Sequence, residues 1–209
     1  AKNLGGDFAE FAYDGISLRH YSVLKPLGSV LLDRENRGIY IDGFGGVDVA
    51  SGETLTIMAP VTYHGAFVKF GEGNLFLCAQ PMFLQAGNVV GENPESGNNV
   101  LEVRSGAVGV SSNPLSLDGV RIKMSEKGGL CVKVGDVATT GAGAFGLKNV
   151  KESVPFDLTG NGGKLKVSFD VSDQNIGKDD EYVVSICTVG QSAADGLEGN
   201  IVLKRPRGR

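Results

Sequence analysis

The sequence predicts an all-β chain: an antiparallel β-sandwich, jelly-roll-like, with Gly-rich turns and little helix. Three observations lead there. Glycine supplies 32 of the 209 residues, about twice its usual share of roughly 7%. Apolar and polar residues alternate over short runs, as in Leu165, Val167, Phe169 and Val171 against Lys164, Lys166, Ser168 and Asp170, which places one face in a core and the other in water. The runs recur about every 8 to 12 residues with turn residues between them, a spacing that suits sandwiches and barrels and not βαβ units.

Taken in order, residues 1–15 form an N-terminal arm whose helix-like spacing of Phe8, Phe11 and Ala12 ends at Asp14-Gly15. Residues 16–203 form one sandwich domain, with a subdivision near 111–119 ("SSNPLSLDG"), and residues 204–209 form a basic tail. Within the domain, "YSVLKPLGSVLLD" is interrupted by Pro26, which marks an edge strand or a bend. "GIYIDGF", "ETLTIMAPV", "AFVKFGEGNLFLCAQ", "NVLEVRSGAVGV", "GVRIKM", "GLCVKVGDV", "KLKVSFDVS", "EYVVSICTV" and "NIVLKR" read as further strands. Asn161-Gly162 is the best hairpin signal, because both residues tolerate the positive φ of a type I′ turn, and Lys127-Gly128-Gly129 and Glu72-Gly73-Asn74 suggest two more. "GNVVGENPESGNN", from Gly87 to Asn99, is the best exposed loop, and no repeat can be aligned along the chain.

The cluster "GFGGVDV" is too rich in β-branched residues downstream to open a helix, so a nucleotide-binding turn is excluded on context. One unit does not make the tandem repeats of a calcium-binding β-helix, although Asp42 and Asp48 could supply oxygens. The reading kept is a tight or bulged strand connection. A second oxygen-rich stretch places Asp170, Asp173, Asn175, Asp179 and Asp180 together as a weak cation site, with calcium as the fitting ion. It lacks EF-hand spacing, and a solvated acidic turn is the plainer account; no cofactor is expected otherwise.

Charge and cysteines narrow the classes further. The net charge is −4, but Lys204, Arg205, Arg207 and Arg209 sit at the end, so the body before them is more acidic still. Broad nucleic-acid binding is not expected of such a body, while the tail could meet an anionic partner. Cys78, Cys131 and Cys187 each lie in an apolar run and read as buried thiols. No apolar run reaches the roughly 18 to 20 residues of a membrane span, nor does the start hold a signal-peptide core, so a soluble chain is expected. His20 and His64 stand in no nucleophile or metal motif, and there is no Trp for a sugar platform, so an enzyme is not expected.

A Gly-rich, Trp-free, all-β chain with reduced cysteines, long polar loops and a charged tail resembles the structural components of virions, above all phage capsid, decoration or spike proteins. The resemblance is one of style, spread over the whole chain. It implies a non-catalytic protein that assembles with copies of itself, as trimers, and with other virion proteins, in the virion after assembly in the host cytoplasm. Phe8 and Phe11 would then be buried on assembly. The alternative is a β-sandwich module that binds a glycan or a surface.

Overall fold

The computed structural model describes residues 9–91, 99–110, 116–133, 145–147, 156–162, 165–170, 187–189 and 201–203. It is all-β, but it is a parallel β-solenoid of about five turns and not an antiparallel sandwich. The first turn holds β1 (Ala12–Arg19), β2 (Ser22–Leu24) and β3 (Val30–Leu32). The second holds β4 (Arg37–Asp48) and β5 (Thr54–Ile57), and the third β6 (Val61–Phe70) and β7 (Asn74–Leu77). β8 (Met82–Gln85) stacks in parallel on the start of β6 and then turns back as a hairpin with β9 (Asn88–Val90), before β10 (Val100–Val110) and β11 (Arg121–Lys133) continue the coil. Short strands follow: β12 (Phe145–Leu147), β13 (Phe156–Asp157), β14 (Leu165–Asp170), β15 (Cys187–Val189) and β16 (Ile201–Leu203).

Parallel pairing follows from how the chain turns. β4 and β6 each bend in mid-strand, at Gly43 (φ +68°) and Gly65 (φ +145°), which are register partners. A one-residue bend changes the strand's direction without reversing it, so the next strand meets its neighbour one turn later, in parallel. The cluster in "GFGGVDV" therefore does turn a corner, within β4. Gly46 is required for a second reason: a Cβ there would press on the Val68 carbonyl and the Phe70 ring.

The three hairpins expected from turn pairs do not form. Gly128 and Gly129 lie inside β11, Gly73 lies at a corner between β6 and β7, and Asn161-Gly162 ends a 3-10 turn at Thr159–Asn161. The strands flanking these turns pair with neighbouring turns of the coil. Among the described residues the antiparallel pair is β8 with β9, closed by Ala86 (φ +48°) and Gly87 (φ +84°). Those two positive φ values fit a type I′ turn.

Alternation places the same side chains in one core, turn after turn. Val30, Leu55, Leu75, Val108, Leu130 and Val167 are successive register partners and form an aliphatic column. From Leu55 to Leu130 its members are at most 1% exposed. Val47, Lys69, Val103 and Met124 occupy a second column. Lys69 is fully buried there, its ammonium donating to the carbonyls of Phe70 (2.7 Å), Gly71 (2.8 Å) and Ser105 (3.2 Å). The Phe70 carbonyl also accepts the Val49 amide at 3.2 Å, and the lysine gives the inward-pointing corner carbonyls a buried donor. Burial pulls its pKa down to about 8, against a smaller raising effect from Asp48. Among the described residues, no helix is long and apolar enough to cross a membrane.

Candidate functional site

The outer face of the coil, from β4 to β13, carries a groove of about 720 Å³. Its floor is built by strand register. Glu102 of β10 lies beside Lys123 of β11, and Lys123 beside Asp157 of β13, so three charged residues stand in one row on successive turns. Neighbouring parallel strands lie about 4.8 Å apart. Ala66 and Val100 extend the floor, His64 stands at one end, and Leu84 to Ala86 of the β8–β9 hairpin form a wall. Asn99 fixes the bend beneath the groove: its side-chain oxygen accepts the Gly65 amide at 3.1 Å.

Both carboxylates of the row are already engaged. Glu102 accepts two bonds from Arg104, from Nε at 3.1 Å and from Nη2 at 3.3 Å. Arg104 is outside the groove lining, its guanidinium 5.2 Å from the Phe70 ring centre and 5.8 Å from that of Phe44. Asp157 accepts the Thr159 hydroxyl at 2.6 Å and amide at 3.1 Å, and Arg121 at 3.2 Å. The Thr159 hydroxyl is the main cause of an Asp157 pKa below the ordinary carboxylate value; burial opposes it, while the Thr159 amide, Arg121 and Lys123 add to it. Lys123 has no ion pair among the described residues, and its side chain is exposed.

At the end of the groove, Arg19, Asp42 and His64 are register partners on three turns. His64 Nδ1 is 3.1 Å from Asp42 Oδ1 and 3.3 Å from the Tyr40 hydroxyl. A carboxylate only accepts, so the imidazole proton sits on Nδ1 and points to Asp42. Arg19 reaches the same carboxylate at 3.8 Å and lies 5.3 Å from the centre of the Tyr40 ring. The Tyr40 hydroxyl titrates above its ordinary value, through burial first and the charge of Asp42 second.

The residues singled out from sequence meet varied fates. Asp42 is paired as above and Asp48 is bonded to Lys25 at 2.8 Å, so the glycine-corner carboxylates face cations of the chain itself. No group of three or more His, Cys, Asp or Glu able to hold a metal occurs among the described residues. Asp170 is the last residue of β14, while Asp173, Asn175, Asp179 and Asp180 lie outside the described residues. So do Phe8, Lys204, Arg205, Arg207 and Arg209. Phe11 precedes β1 and is 40% exposed. His20 falls at a corner with φ +49°, Cys78 and Cys131 are buried thiols, and Cys187 starts β15.

The row Glu102, Lys123 and Asp157 escaped the sequence reading. Glu102 and Lys123 sit on the polar side of clearly alternating runs, so their outward direction was readable. Their adjacency was not, because it depends on which strands neighbour one another. No family model, curated protein or solved structure matches the chain.

Proposed function

We propose that this chain is a non-catalytic glycan-binding solenoid. The observation that carries the reading is the polar groove laid across successive turns. An extended chain of hydroxylated units lying along it would meet a donor or acceptor at each turn, from Gln85 and His64 to Glu102, Lys123 and Asp157. Recognition would rest on hydrogen bonds, since no aromatic ring lines the groove among the described residues. The absence of catalysis is argued from the carboxylates: each is held by a guanidinium, and Asp157 stays ionised, whereas a general acid needs a raised pKa.

A second reading keeps the self-assembling structural component of the virion type. It is favoured by the large exposed apolar side chains Phe11, Tyr21, Val23, Leu27 and Leu31, all within or beside the first turn. Contiguous exposed apolar surface marks association sites.

One set of measurements separates the two. The full chain is titrated against a panel of extended polysaccharides and weighed by light scattering over a concentration series. The first reading expects saturable binding by a monomer, weakened about tenfold or more by Ala66→Trp, which fills the floor of the groove. A stable oligomer that ignores every polysaccharide would sink it and favour the second.

A further inference from the structure

Among the described residues the charges around the groove do not balance, and their imbalance names a ligand class. Two carboxylates, Glu102 and Asp157, face three cations, Arg104, Arg121 and Lys123. Arg104 and Arg121 are committed, one to each carboxylate, in bonds of 3.1 to 3.3 Å. Arg104 reaches Glu102 from outside the lining, where the Phe44 and Phe70 rings support it, and so cancels a groove charge without occupying groove space. Lys123 remains, exposed, in the middle of the row, with no ion pair among the described residues. At the end of the groove the Arg19, Asp42 and His64 ladder adds no net negative charge that would oppose an anion there.

We propose, building on the glycan-binding reading, that the groove takes an acidic glycan, with the Lys123 ammonium donating to a carboxylate of a uronate-type unit. Glu102 and Asp157, fixed on either side of Lys123, accept from hydroxyls of the adjoining units. The arrangement selects against a chain with a negative charge on every unit, since units beside the central one would face carboxylates. A glycan in which acidic and neutral units alternate fits best.

The test titrates the full chain, at low and high salt, with four oligosaccharides of equal length: neutral, alternating uronate and neutral, all-uronate, and sulfated. Lys123→Gln and Lys123→Arg are compared with the parent chain after circular dichroism has checked their fold; Lys123 is exposed. The alternating uronate should bind most tightly. Lys123→Gln should lose about tenfold or more, the worth of one charge-assisted hydrogen bond, while Lys123→Arg keeps most of the affinity and salt weakens the parent more than the Gln variant. Equal affinity for the neutral glycan, unchanged by Lys123→Gln, would overturn the inference and leave the groove reading standing. A preference for the sulfated chain over both uronates would overturn the carboxylate assignment, and binding of none of the four would remove the groove reading as well.

Discussion

Lys69 is the residue at which the fold departs furthest from a plain apolar core. Its neighbours in the column are Val47, Val103 and Met124, so by position it should be apolar. What keeps a lysine there is the set of three corner carbonyls, of Phe70, Gly71 and Ser105, that its ammonium serves. Leaving a buried acceptor unsatisfied costs about 1–3 kcal/mol, so Lys69→Met, although it removes a buried charge, should destabilise the protein by about 2–4 kcal/mol. The titration of this group gives a second handle. Its folded pKa of about 8 lies below the unfolded value of 10.5. Between those values the unfolded chain holds the proton and the folded one does not, so stability rises with pH across that window. Urea unfolding at several alkaline pH values should show this rise in the parent and lose it in Lys69→Met. A Met variant as stable as the parent would mean that the carbonyls find other donors. In the sequence "FVKF", nothing local sets Lys69 apart from an outward residue between apolar neighbours.

At the level of the strand, the sequence was informative about where and silent about with what. Alternation in "NVLEVRSGAVGV" and "KLKVSFDVS" matches β10 and β14 as strands. Parallel pairing leaves no such local mark, because the partner is one whole turn away. The turns also differ in length: Ile16 pairs with Ile39, Ile39 with Val61, Ala66 with Val100, Val100 with Arg121 and Ile122 with Phe156, spacings of 23, 22, 34, 21 and 34 residues. The longer spacings hold excursions such as the β8–β9 hairpin, and such variation hides a repeat from alignment. At Gly73, Gly128 and Gly162 glycine reads as the mark of a hairpin, while at Gly43 and Gly65 it marks a bend inside a strand. Gly65 is the stricter of the two, since a Cβ there would overlap the Gly43 carbonyl and φ is positive. Gly65→Ala should therefore cost about 2 kcal/mol or more and, because the bend underlies the groove floor, weaken ligand binding. Thermal unfolding is the check, and a variant melting with the parent would show that the corner can be made another way.

Across the whole molecule, stability is a matter of neighbours in a stack. Each turn touches the turns on either side, so a solenoid holds together as a sum of interfaces in series. The column from Val30 to Val167 tests this, because chemistry is nearly constant along it while position varies. Leu75 is 0% exposed, with Leu55 on one side and Val108 on the other. Val30 is partly buried and, among the described strands, β3 pairs with β5 alone. Leu75→Ala opens a cavity between two interfaces and should cost about 2–5 kcal/mol; Val30→Ala removes methyls already in part wet and should cost about 1 kcal/mol or less. The shape of the denaturant transition carries more information than its midpoint. If the turns on each side of Leu75 are coupled only through this contact, the variant should unfold over a broader range with a lower m-value, while Val30→Ala should shift the midpoint and keep the slope. Equal losses at both sites, with unchanged slopes, would mean that cooperativity runs through the outer ladders and not through the column.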